Sequence, residues 1–86
     1  MLLEELSNAF GPAGNEDEVR RVLARALKDK VDELSTDAMG NLIAFKKGNG
    51  AKARLKVMVD AHIDEVGLMI TRIDKNGLLG FQAVGS

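Results

Sequence analysis

The sequence predicts an α/β chain, with two N-terminal helices followed by about five strands. Three observations predict it. Apolar residues recur at helical spacing up to about residue 29. From Val31 onward the apolar runs shorten, fill with β-branched residues and are bounded by polar turns. Asp74-Lys75-Asn76-Gly77 then sets an Asn-Gly pair between two such runs, a strong short-range hairpin signal.

Leu2, Leu3, Leu6, Ala9 and Phe10 form one apolar stripe, which predicts a helix over 2–10. Gly11-Pro12 is expected to end it, because Gly accepts a left-handed cap and Pro cannot continue the hydrogen-bond ladder. Asn15 is the predicted N-cap of the second helix, and Glu18 completes a capping-box-like pattern. Glu16, Asp17 and Glu18 also place negative charge at the positive end of that helix dipole. The second helix is expected to reach about Asp29. Val19, Val22, Leu23, Ala26 and Leu27 make its buried face, and Arg20, Arg21, Arg25 and Lys28 its wet one.

Strands are expected at Val31–Thr36, Leu42–Phe45, Leu55–Ala61, Val66–Ile73 and Leu78–Val84. Met39-Gly40-Asn41 supplies a turn, and Lys46-Lys47-Gly48-Asn49-Gly50 a polar loop. The Leu55-Lys56-Val57-Met58-Val59 run reads as an interior strand of a covered sheet. Two short helices are few to cover five strands, so the architecture reads as the N-terminal part of a larger α/β protein.

Composition excludes several functions. The 86 residues carry 12 basic and 13 acidic side chains, a net charge of −1. That balance speaks against general nucleic-acid binding, whose main energy is phosphate neutralisation. The absence of cysteine excludes a disulfide framework, a thiolate zinc site and a cysteine nucleophile. With no Trp or Tyr and three Phe, there is no row of aromatics to stack bases or sugars. Met1-Leu2-Leu3 leads straight into Glu4-Glu5, unlike a signal peptide, and runs such as Val66–Ile70 are too short to span a bilayer. The expectation is a soluble, cytoplasmic chain without a membrane or nucleic-acid partner.

The densest reactive cluster is Asp60-Ala61-His62-Ile63-Asp64-Glu65, directly after the most apolar run. Ligands of open α/β sheets bind at the carboxyl ends of strands. His62 is the sole histidine, and its imidazole suits zinc or cobalt. On an extended backbone Asp64 points the same way and can accept the second ring N–H, fixing the tautomer. The competing reading is a surface histidine beside solvated carboxylates. Asp60, Asp64, Glu65 and Asp74 raise the alternative of glycoside hydrolysis. Asp60 and Asp64 would lie about 13 Å apart if fully extended, too far for either standard geometry.

Weaker signals have simple readings. Gly11-Pro12-Ala13-Gly14 has the spacing of an RNA-binding GxxG loop, yet acidic residues follow at once, so it reads as a helix-to-helix turn. Lys46, Lys47, Lys52, Arg54 and Lys56 read as a solvated basic stretch. Ser7, Ser35 and Ser86 lack a nucleophile-elbow context.

Three blocks carry a family resemblance. Leu6 to Glu16, reading LSNAFGPAGNE, resembles the opening of the tetrahedral and glutamyl aminopeptidases. Asp37 to Ala44, DAMGNLIA, resembles a second block of that family, and Val59 to Gly67, VDAHIDEVG, its first metal block. These are cocatalytic metallopeptidases of peptidase family forty-two, often labelled endoglucanase. The resemblance implies that His62 is a ligand of one of two adjacent divalent metals, zinc or cobalt. It implies that Asp64 is the catalytic-site acid that orients His62, and it gives Glu65 no catalytic role. In such enzymes the metals polarise the peptide carbonyl while a glutamate base assists the attack of water.

The family fold is an α/β catalytic domain with an inserted β-rich dimerisation domain. Residues 1–67 would be the N-terminal part of the first and 68–86 the start of the second. The remaining ligands, the base glutamate and a second histidine would lie beyond residue 86. The resemblance thus implies the N-terminal segment of a metallo-aminopeptidase acting on peptides. Alone, it would be inactive and bind metal weakly or not at all. A homo-oligomer or a complementing chain is the expected partner. A non-catalytic oligomerising or partner-binding module is the alternative, and a glycosidase a third.

Overall fold

The computed structural model describes residues 1–50 and 55–85. It confirms an α/β chain: α1 (Leu2–Asn8) and α2 (Asp17–Leu27) precede β1 (Glu33–Thr36), β2 (Leu42–Phe45), β3 (Gly67–Ile73) and β4 (Leu79–Val84). The strands form two separate antiparallel hairpins, β1–β2 and β3–β4. Glu33 faces Phe45 and Thr36 faces Leu42 in the first; Gly67 faces Val84 and Ile73 faces Leu79 in the second, with a bulge between Ile70 and Arg72. The molecule is elongated, 68 × 24 × 18 Å. Its radius of gyration is 18.0 Å. A compact chain of this length would have about 12 Å.

The helices differ from expectation at their ends. α1 stops at Asn8, and Ala9 closes it with an extended backbone, its N–H bonded to the Glu5 carbonyl. Gly11-Pro12 therefore lies beyond the cap and has another role, described below. α2 begins after Glu16 rather than Asn15, and no side chain caps it. The Glu16 carboxylate turns back instead to accept a hydrogen bond from the Gly14 N–H at 2.6 Å. The capping-box pattern of Asn15 and Glu18 is thus not formed.

The core sits where α1 crosses α2. Ala9, Val19 and Val22 are buried there, with Leu6 and Ile63 packed against them. Leu23, Ala26 and Leu27 are half-buried. Arg20, expected on the wet face, is drawn inward. Its Nε donates to the Gly40 carbonyl at 2.8 Å and its Nη1 to Asp17 at 2.6 Å. This joins α2 to the turn between β1 and β2.

The interior strand expected at Leu55–Ala61 is not formed, which leaves four strands among the described residues rather than about five. Leu55, Val57, Met58 and Val59 are 77–91% exposed. An apolar run becomes a strand only when neighbours take up its amides and carbonyls. Among the described residues no strand lies beside this one.

Candidate functional site

The segment His62-Ile63-Asp64 is held by its middle residue. Ile63 packs against the helical core, and the side chains of His62 and Asp64 come together. The His62 Nδ1 lies 3.1 Å from Asp64 Oδ1 and 3.0 Å from the Asp64 carbonyl oxygen. Both partners are acceptors, so Nδ1 carries the proton and donates. Nε2 is then the nitrogen with a lone pair to offer. The His62 side chain is 85% exposed, and that of Asp64 39%. With Glu65, Val66 and Gly85 they line a shallow cleft.

A second anchor comes from the turn between the helices. The Glu65 N–H donates to the Gly11 carbonyl at 2.9 Å, and the Glu65 carbonyl accepts from the Ala13 N–H at 3.2 Å. This makes a parallel bridge between Pro12 and Glu65. Pro12 is suited to it because the bridge uses the amides on either side and needs no proline N–H. Gly11 is pressed onto α2: a Cβ there would sit 2.8 Å from Val19 Cγ1.

The other acidic candidates do not converge. Asp60 is exposed and Glu65 exposed, and neither side chain joins the His62–Asp64 contact. Asp74 is committed to the β3–β4 turn, where its carboxylate accepts from the Asn76 and Leu78 amides. Within the basic stretch, Lys47 gives its backbone N–H to Asp32, and Lys52 and Arg54 lie outside the described residues. Ser86 also lies outside them. Among the described residues no group of three or more His, Cys, Asp or Glu side chains is arranged to hold a metal ion. Among them, too, no helix is long and apolar enough to cross a membrane.

The family model described as M42 glutamyl aminopeptidase matches residues 40–86. The chain belongs to that family. A provisional aminopeptidase of Acetivibrio thermocellus is 48% identical over 98% of this chain and 24% of its own length. An aminopeptidase from the archaeon Desulfurococcus kamchatkensis has the same fold. Its TM-score is 0.88 at 36% identity, over 99% of this chain and 23% of that one. A Thermotoga maritima protein described as an endoglucanase matches with a TM-score of 0.83 at 38% identity, covering 100% of this chain and 27% of its own. The chain spans just under a quarter of the length of the curated relatives it matches.

The sequence anticipates the His62–Asp64 contact but not the contacts of Gly11, Ala13 and Arg20. Gly11 and Ala13 act through backbone groups, which leave no side-chain signature. Arg20 does carry a signal, since Glu16 and Asp17 lie four and three residues before it on α2.

Proposed function

We propose that this chain is the N-terminal segment of a divalent-metal aminopeptidase, with His62 as a metal ligand and Asp64 as the residue that orients it. The observation that carries this reading is the His62–Asp64 contact, which supports an imidazole with Nε2 open to a ligand. A carboxylate or carbonyl behind a ligating histidine fixes its ring and raises its basicity. The residues described fit one protein ligand of such a site and not a whole site. Catalytic zinc commonly takes three. The reading therefore needs ligands from outside these 86 residues, supplied by a continuation of the chain or by a complementing chain. Bound there, two divalent ions, zinc or cobalt, would supply Lewis acidity toward a peptide carbonyl. The part of His62 is to hold its place in that constellation; the part of Asp64 is to keep the Nδ1 proton.

The same proposal sets residues 1–67 in the catalytic unit and 68–86 in an inserted β-rich unit. The separateness of the β3–β4 hairpin supports that division. It also includes assembly with another copy or a complementing chain, in the cytoplasm. Leu68, Ile70 and Phe81 are exposed on one face of β3 and β4, and contiguous apolar area of this kind marks contact surfaces.

Cobalt titration calorimetry on the intact chain and on His62→Ala tests the site. Weak binding that disappears in His62→Ala is expected. Tight stoichiometric binding that survives the substitution would put the site elsewhere. Aminoacyl-nitroanilide hydrolysis by the chain alone should stay at background; a chelator-sensitive rate restored by cobalt would show the site complete. Light scattering over a concentration series should show species above the monomer mass.

A further inference from the structure

The peptide unit between Asp64 and Glu65 is held at both ends. Its carbonyl accepts from His62 Nδ1 at 3.0 Å, and its N–H donates to the Gly11 carbonyl at 2.9 Å. A continuous hydrogen-bonded chain therefore runs from the imidazole, through one peptide group, to the turn between the helices. Each donor in such a chain polarises the next, and its geometry is fixed only as firmly as its last acceptor.

That last acceptor is fixed by packing. Gly11 is buried, and a Cβ on it would stand 2.8 Å from Val19 Cγ1 and 3.7 Å from the Ile63 carbonyl oxygen. Only glycine lets the backbone come this close to α2. The neighbouring residues lock the same turn from the other side. A Cβ on Gly67 would stand 3.1 Å from Pro12 Cβ, and one on Gly85 3.6 Å from Ala13 Cβ.

We infer that Gly11 is a positioning residue for His62: its carbonyl, set by contact with Val19, holds the Asp64–Glu65 peptide so that the imidazole keeps its proton on Nδ1. The inference extends the site reading given above, but it concerns the metal-free chain and does not need a metal to be tested. Gly11 touches no substrate and no reacting atom. It acts through the peptide, and the side-chain carboxylate of Asp64 supports the same tautomer from its own position.

Nitrogen-15 NMR of the imidazole, at about pH 8 where an ordinary histidine is neutral, reads the tautomer directly. Amide exchange at Glu65 reads the bridge. In the unaltered chain His62 is expected to be mainly Nδ1–H, the form that free histidine disfavours, with Glu65 protected. Gly11→Ala should lower Glu65 protection by about tenfold, the loss of one hydrogen bond. In an Asp64→Ala background, where the carbonyl is the remaining acceptor for Nδ1, it should also move His62 toward Nε2–H. Adding Val19→Ala to Gly11→Ala clears the space and should restore both readings. Val19→Ala alone removes the contact that sets the Gly11 carbonyl, and should shift both readings in the same direction as Gly11→Ala.

Three results would overturn the inference. The first is an Nε2–H imidazole in the unaltered chain. The second is loss of Glu65 protection with the tautomer unmoved in the Asp64→Ala background. The third is failure of the two Val19→Ala chains to fold, which would mean that the turn serves the core and not the histidine. A failure of metal binding at His62 leaves these readings untouched, so the two proposals fall separately.

Discussion

The two hairpins are closed by the same turn yet stand in different surroundings. Asp37-Ala38-Met39-Gly40-Asn41 joins β1 to β2, and Asp74-Lys75-Asn76-Gly77-Leu78 joins β3 to β4. In each, the Asp carbonyl accepts from the Gly N–H, at 3.0 and 3.1 Å, and the Asp N–H donates to the carbonyl four residues on. In each, the carboxylate accepts from the amides two and four residues ahead. Gly40 and Gly77 both hold positive φ, +90° and +83°, which glycine tolerates at no steric cost. The Asn-Gly pair at 76–77 thus belongs to a turn led by Asp74, not to a two-residue loop. The difference is external. Arg20 of α2 grips the Gly40 carbonyl and fastens the first hairpin to the helices, whereas a Cβ on Gly77 would meet nothing within 4 Å. Four residues suffice to specify a turn; where the turn sits is decided by a residue some twenty positions away.

Substitution of the two glycines gives the largest effect. Gly77→Ala isolates the backbone cost of a side chain at positive φ, about 1 kcal/mol. Gly40→Ala adds a Cβ 2.9 Å from Arg20 Nη2 and should destabilise its hairpin by about 2 kcal/mol. Hydrogen exchange of the strand amides measures both. Equal losses would mean that the Arg20 anchor adds nothing.

Removing the turn carboxylates should come next. Asp74→Ala loses two accepted hydrogen bonds and about 1 kcal/mol. Asp37→Ala loses a third, from the Asn41 side-chain amide, and should cost its hairpin more. Arg20→Met sharpens the comparison further. Exchange in β1–β2 should quicken several-fold with β3–β4 unchanged, since one charge-assisted hydrogen bond is lost. The ion pairs of Arg20 with Asp17 and Glu16 are partly exposed and contribute little of that.

The smallest effect is on pH dependence. Hydrogen bonds from the Asn41 side chain, then from the Asn41 and Met39 backbone amides, hold the Asp37 carboxyl below its ordinary 3.8. A carboxyl depressed on folding supports the hairpin fully above the unfolded value. The support is lost as pH falls from there through the native value. Asn41→Ala removes the largest contribution, so the loss should be smaller and be complete nearer pH 3.8. An acid-induced loss at the same pH in both chains would show that Asn41 does not set it.

What could be read in the sequence follows from how local each signal is. The two turns were legible because a side chain and the amides it bonds lie within four residues. His62 and Asp64 were legible because they lie only two residues apart. Leu55–Val59 misled because its apolarity describes a strand with neighbours on both sides, and pairing is decided by segments far along the chain. The boundaries of α1 and α2 differ from the expectation because neither Gly11 nor Asn15 caps a helix. Glu16 turned its carboxylate back on Gly14, and Gly11 was claimed by contacts with Val19 and Glu65.

Pro12 gives the bridged segment a closed outer side. In a parallel bridge the groups flanking the central residue face the partner, and those of the central residue face away. Here that outward N carries no hydrogen, and the outward carbonyl already accepts from the Asn15 N–H at 2.9 Å. No further strand can add there. Backbone pairing at Pro12 is therefore one-sided. The single proline of the chain thus closes the outer edge of the bridge that holds Glu65.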